Sequence, residues 1–385
     1  GMAVFGLRKN LYKNTLFIID EASMIGASEG ALQSFGKGEA RQLLDDLLNF
    51  VFTGQNCRLI FIGDAAQLPP VGSSHSPALD KSYLAERYSL TLASLELTEV
   101  KRQALNSGIL FNATMLRNQL QDPNLVFPHM TTELFEDVHR IGGHELEEWL
   151  EDSIGKHGIE QVVVITRSNK RANLFNQQIR HRLLWNEEEL NAGDLLMVVK
   201  NNYFWLEEEK SANASFIANG DTMEVVKIAR TEERYGYRFA DIEGQLKDYP
   251  DLPPMEMKIM LDTLMIDGPS LGQEAQKALY HYVAEDYVHL GDRKKIHEAI
   301  QKDPFYNALQ VKFAYAVTCH KSQGGQWPVV FVDQGYVNED MVDKEFIRWL
   351  YTAVTRAQEQ LFLIGFQDTF FDESTGDLSD ILNDN

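Results

Sequence analysis

Cysteine is nearly missing. Cys57 and Cys319 are the only two in 385 residues, too few for a disulfide framework, so a reducing, cytoplasmic setting is expected. No run approaches the roughly 18 apolar residues of a membrane span and no signal peptide opens the chain, so a membrane partner is not expected. Basic residues are scarce as well. Lys and Arg number 36 against 57 Asp and Glu, a net charge of −21, which disfavours a protein that holds nucleic acid by bulk positive charge but permits local basic grooves. The remaining composition, 44% apolar and 24% charged, excludes disorder, collagen-like repeats and coiled coil. At roughly 150 residues per domain, the length implies two or three domains with real cores.

Charge is unevenly spread. Eight carboxylates between Glu133 and Asp152 face one Arg140, and the tail from Asp368 carries six acids and no base. Such runs read as solvated faces. Val163–Trp185 is the reverse, with Arg167, Lys170, Arg171, Arg180 and Arg182 and no acid. In so acidic a chain, such a stretch is less expected by chance and is a candidate anion site.

Leu16–Asp20 and Leu59–Asp64 are short apolar runs that end in an acid, the pattern of buried parallel strands. Between them, Leu43, Leu44, Leu47, Leu48 and Val51 predict a helix with one buried face, completing a strand–helix–strand unit. Val162–Ile165, Val329–Val332 and Leu361–Ile364 predict further strands, with helices over Arg171–Leu184 and Ile347–Arg356. Asp194–Lys200 and Thr222–Ile228 are strand-like, Asn219-Gly220 is a turn signal, and Gln273–Lys302 is helical. The fold class expected is therefore α/β with parallel sheets at both ends and a β-rich insertion over 194–308.

Four constellations carry chemistry. Asp20-Glu21 sit at the carboxyl end of a strand, where open α/β sheets bind ligands. Adjacent acids there suit nucleotide hydrolysis, one holding Mg²⁺ and the next deprotonating water, or they are charged punctuation facing solvent. Gly63-Asp64-Ala65-Ala66-Gln67-Leu68-Pro69-Pro70-Val71 holds Gln67 on a stiffened loop, with Gly63 expected to permit an unusual backbone. Thr318–Gln326 forms a polar loop rich in phosphate donors, and its Cys319-His320 lacks partners at zinc spacing. Tyr351–Ala357 then presents Arg356, either a phosphate ligand or a surface ion-pair partner.

Together with Leu97-Thr98-Glu99-Val100-Lys101-Arg102-Gln103, these segments occur in the order of superfamily 1 helicase motifs. The chain resembles the RecD-like, 5′-to-3′ branch, which includes phage helicases of the Dda type, over about residues 15–366. The resemblance implies two RecA-like domains, the first over 1–100 and the second over 101–193 and 309–385, with 194–308 as a small β-barrel. It implies ATP and Mg²⁺ as cofactors, single-stranded DNA as partner, and repair or recombination proteins as associates.

Carried over by residue, Asp20 resembles the Mg²⁺-linked acid and Glu21 the base for the attacking water. Gln67 resembles the γ-phosphate sensor, and Arg102 and Arg356 the two arginines offered to that phosphate. Gly324 and Gln326 would lie by the nucleotide, with His320, Lys321, Thr166 and Asn169 towards DNA.

One part is missing: no Gly-x-x-x-x-Gly-Lys-Ser/Thr occurs in the 385 residues. In the family that loop precedes the Asp-Glu strand, yet only about 15 residues do so here, and Gly1 before Met2 resembles a tag-cleavage scar. A truncation or a misplaced gene start is expected, with little ATPase activity in the polypeptide itself and a hydrophobic sheet edge needing cover. The alternatives are a nucleic-acid-binding module without ATPase activity, or a helicase-like subunit of an exonuclease complex.

Overall fold

The computed structural model describes residues 7–27, 42–97, 107–122, 127–206 and 215–371. In chain order its first elements are β1 (Leu16–Ile19), α1 (Leu43–Phe52), β2 (Arg58–Phe61), α2 (Lys81–Tyr88), α3 (Gly108–Gln121), β3 (Val138–Ile141) and α4 (Leu146–His157). There follow β4 (Val162–Thr166), α5 (Asn169–Gln178), β5 (Leu195–Val198), β6 (Thr222–Arg234), β7 (Tyr237–Leu246), β8 (Met255–Met260), α6 (Gln273–Asp286) and α7 (Arg293–Ile300). The last are β9 (Leu309–Phe313), β10 (Ala316–Thr318), α8 (Cys319–Ser322), β11 (Trp327–Asp333), α9 (Lys344–Val354) and β12 (Ala357–Ile364). The class is α/β with parallel sheets and a closed five-stranded barrel, as the sequence predicts. The described residues form two compact units, one drawn from 1–140, 323–326 and 336–385, the other from 141–322 and 327–335.

In the first unit β1 and β2 pair in parallel, from Leu16 opposite Arg58 to Ile19 opposite Phe61. Alternation sends Phe17, Ile19, Leu59 and Phe61 to one face, and α1 covers it with Leu44 and Leu48. Asp45 and Asp46 in the first turn of α1 complement the helix dipole. The opposite face is bare: Leu16, Ile18 and Ile60 are 50%, 58% and 43% exposed. Among the described residues β1 and β2 form a sheet of two strands, so the expected cover for this sheet is not found there.

Elsewhere in this unit α3 packs against α9 and β12. Asp137, one of the acids read as solvated, instead anchors the start of α3. Its carboxylate accepts from the Ser107 hydroxyl (2.6 Å) and from the Gly108 and Ile109 N–H groups (2.8 and 3.3 Å). Ser107 in turn caps Leu110 N–H at 3.3 Å.

The second unit holds the parallel ladder β10–β4–β11, whose β4 is buried at every residue, and the barrel β5–β6–β7–β8–β9. β5 pairs antiparallel with β6 and β9, while β8 and β9 close the barrel in parallel. The hairpin of β6 and β7 is longer than Thr222–Ile228. It runs to Arg234 and turns through Tyr235 and Gly236, at φ 56° and 74°. Two consecutive positive φ values are what a two-residue hairpin turn of this hand requires, and Gly236 supplies one without strain.

The acid-free basic stretch is largely spent on internal ion pairs. Arg171 grips the buried Asp333 through Nε (2.9 Å) and Nη2 (2.6 Å), Arg182 pairs with Glu147 at 3.0 Å, and Arg180 pairs with Asp194 inside the unit. The helix predicted over Arg171–Leu184 ends at Gln178 and continues as one π-helical turn, Ile179–Leu183, which places Arg180 against that acid.

Candidate functional site

The site grows from the loop after β2. Ile62 N–H donates to the Ile19 carbonyl and Ala22 N–H to the Ile62 carbonyl, both at 2.8 Å, so the ends of β1 and β2 lie side by side. At Gly63 a Cβ would stand 3.0 Å from Ser23 N and 3.2 Å from Ala22 N. Close approach, rather than the unusual backbone expected from sequence, is what demands glycine at that position.

Asp64 then shapes the turn. Its Oδ1 accepts from Ala66 N–H at 2.9 Å and its Oδ2 from the Tyr351 hydroxyl at 2.6 Å. The loop is fastened to α9 twice more within the unit. Leu68 N–H donates to Thr352 Oγ1 at 2.9 Å, and Arg348 donates to the Ser74 carbonyl at 2.8 Å. Gln323 Nε2 donates to the Leu68 carbonyl at 2.9 Å, bringing the tail of the Thr318–Gln326 motif to the same loop.

These fastenings surround a pocket of about 360 Å³ lined by Asp64, Gln67, Gln326, Tyr351 and Arg356, with Arg117 and Thr114 from α3. Gln67 is 8% exposed, and its Oε1 has no hydrogen-bond partner among the described residues. A buried acceptor of that kind is costly unless a ligand or water serves it. Arg356 is 3% exposed and is not a surface ion-pair residue. Its Nε donates to the Thr352 carbonyl (3.0 Å), Nη1 to the Gly325 carbonyl (3.1 Å) and Nη2 to Thr355 Oγ1 (3.1 Å). Gln326 Oε1 accepts from Gln358 Nε2 at 3.1 Å. Burial pushes the Tyr351 phenol well above its ordinary value, the Asp64 charge adds to that, and Arg117 and Arg356 oppose it.

Residues 313–364 match the UvrD-like helicase C-terminal domain. That segment runs from the last residue of β9 through α9 to the end of β12, and contains Gln326, Tyr351 and Arg356. An uncharacterized protein of Acanthamoeba polyphaga mimivirus is 22% identical over 391 residues, which cover 92% of this chain and 75% of that protein. Among solved structures, the Pif1 helicase from Bacteroides in complex with ADP-AlF3 and single-stranded DNA is 13% identical. It has a TM-score of 0.45, with 96% of this chain and 75% of that one covered. The Pif1 helicase from Candida albicans is 14% identical with a TM-score of 0.41, covering 96% of this chain and 76% of that one.

The other sequence-predicted residues stand elsewhere. Asp20 and Glu21 end β1 and are not among the pocket's lining residues; Asp20 Oδ1 accepts from Glu21 N–H at 2.8 Å. Glu21 has φ 48° and ψ 38°, a left-handed conformation that is uncommon for a residue with a side chain. Gly324, at φ 78°, is exposed two residues before Gln326. Arg102 lies outside the described residues.

In the second unit Thr166 is fully buried and its hydroxyl donates to the Ser168 carbonyl at 3.0 Å, while Asn169 opens α5. His320 and Lys321 lie on α8. Lys321 donates to Asn219 Oδ1 and is held below its usual pKa by burial.

Sequence reasoning missed the roles of Asp64, Tyr351 and Arg117. For Arg117 a signal was available: Leu110, Ala113, Thr114 and Arg117 follow helical spacing, so one face of α3 lines the pocket. For Tyr351 and Asp64 nothing local distinguishes the pair, which are separated by 287 residues.

Proposed function

We propose that this chain is the motor portion of an ATP-dependent DNA helicase that moves on single-stranded DNA, with two RecA-like domains of the superfamily 1 type. The branch is the RecD-like or Dda-like one, the direction 5′-to-3′ and the setting repair or recombination. The observation that carries the reading is the convergence of Gln67, Gln326 and Arg356, far apart in sequence, on one pocket of the first unit. The match of residues 313–364 to a helicase C-terminal domain supports it independently.

The pocket suits a polyphosphate. Two guanidinium groups line it, and Gln67 Oε1, an acceptor without a partner among the described residues, suits the attacking water. ATP, when bound, supplies the phosphoanhydride bond whose hydrolysis drives stepping. Arg356 is held by three neutral acceptors, so its charge is pre-oriented to offset negative charge on a phosphate. Gln67 orients water or phosphate from its fixed loop. Asp20 would hold Mg²⁺ and Glu21 would take the proton of the attacking water; neither lines the pocket, but both follow β1 and Ala22 N–H ties that turn to the Ile62 carbonyl at the start of the Asp64 loop.

Without a phosphate loop in the 385 residues, the backbone cradle for the β- and γ-phosphates is missing. The polypeptide itself therefore hydrolyses ATP slowly at best. The test is fluorescence anisotropy with a labelled oligo-dT strand, alongside DNA-stimulated phosphate release. Salt-sensitive DNA binding with little turnover is the expected result. Robust turnover would refute the inactive state but uphold the motor, whereas no binding to DNA would overturn the motor reading.

A further inference from the structure

We propose that Arg117 is an additional anion-binding arginine of the pocket, held in reserve by Glu96 and released to the terminal phosphates of a nucleoside polyphosphate. This rests on the nucleotide reading above and adds a residue and a regulatory contact to it.

Arg117 projects from the face of α3 that lines the pocket, one helical turn beyond Thr114. That helix is rigidly based: Asp137 and Ser107 satisfy its first N–H groups, and it packs on α9, which carries Tyr351 and Thr352. Arg117 therefore stands on a fixed support opposite the loop of Asp64 and Gln67. Its Nη2 donates to Glu96 Oε1 at 2.8 Å. The Glu96 side chain is 64% exposed and that of Arg117 27%, so the acid reaches in from solvent and the base lies partly inside.

That asymmetry decides which partner wins. An ion pair with so exposed a carboxylate is weakened by water and salt. A polyphosphate carries several charges, accepts two parallel N–H bonds from a guanidinium, and would sit in the less hydrated pocket. Arg117 and Arg356 both line the pocket with Tyr351, and the charge of each opposes the rise of the tyrosine's pKa. Glu96 thus acts as an internal competitor: it keeps the pocket closed to weakly charged ligands and yields to a triphosphate. It also leads into the segment carrying Arg102, which lies outside the described residues.

The experiment is isothermal titration of the full chain with ATP and, separately, with inorganic tripolyphosphate, for the wild type, Arg117→Ala, Arg117→Lys and Glu96→Gln. Circular dichroism confirms that each variant is folded. The expected result is binding weakened about tenfold by Arg117→Ala, restored in part by Arg117→Lys, and tightened several-fold at low salt by Glu96→Gln. ATP binding unchanged by Arg117→Ala would overturn this inference and leave the nucleotide reading intact. Tripolyphosphate binding that depends on Arg117, without ATP binding, would uphold the anion site and sink the nucleotide reading. Binding of neither ligand would overturn both.

Discussion

The Tyr351 hydroxyl donates to the Asp64 carboxylate across 2.6 Å, joining α9 to the loop that carries Gln67. The bond is charge-assisted and largely shielded from water, so it is stronger than a neutral pair at the surface. Each oxygen of the carboxylate thus has a fixed donor, Tyr351 on one and Ala66 N–H on the other, which holds the loop in one geometry.

Tyr351→Phe removes the donor and leaves the ring in place. The expected loss is about 2 kcal/mol of stability, read by urea denaturation at neutral pH. Because Asp64 also shapes its own turn, Asp64→Ala costs more, and the double variant costs less than the sum of the two singles. Additive losses would mean that the contact does no work in the fold.

Arg180 and Asp194 form a deeply buried ion pair of the second unit, with side-chain exposures of 4% and 0%. Two parallel bonds of 2.9 Å join them, and Asp194 also accepts from the Tyr315 hydroxyl at 3.0 Å and from Asn191 N–H at 2.8 Å. Asp194→Ala strands a guanidinium in the interior, so a loss of about 3–5 kcal/mol is expected. Replacing both partners together should restore much of it. Thermal unfolding of the three variants decides the matter, and a small loss in the single variant would show that water reaches Arg180.

What the sequence reveals follows from how local each cause is. β1, β2 and α1 are legible because alternation and helical spacing are written within a few residues, and a βα unit has one favoured hand. β7 escaped because Tyr237–Leu246 mixes polar and apolar residues, and its strand character comes from pairing with β6 and β8. The basic stretch was legible as an anomaly but not as a choice between ligand and ion pairs. Its partners Asp333 and Asp194 lie 162 and 14 residues away, and burial alone settles the question. The motifs point to Gln67 and Arg356, which both line the pocket, whereas the Tyr351–Asp64 bond beside them joins residues 287 apart with no local signal.

Lys312 on β9 titrates far from its ordinary position. Its residue is 8% exposed and its ammonium donates to the Ile266 carbonyl. Burial pulls its pKa down to about 8 from 10.5; Lys321 pushes the same way and Asp267 opposes. Below about pH 8 both folded and unfolded states carry the proton, and the folded state bears the full cost of a desolvated charge. Between about 8 and 10.5 the unfolded chain still binds a proton that the folded one has released. Stability therefore rises with pH across that window. Buried tyrosines such as Tyr351, whose pKa values are raised, pull the other way only above about 10. Urea denaturation from pH 7 to 9.5 should show stability rising from pH 8 in the wild type and rising less steeply in Lys312→Met, where other buried lysines such as Lys321 still contribute; the variant is also the more stable protein at pH 7. NMR of ¹³C-methylated lysines gives a second reading: one resonance titrating near about 8, absent from the variant. If every lysine resonance titrates above 10, the Lys312 ammonium is hydrated and the proposed rise disappears.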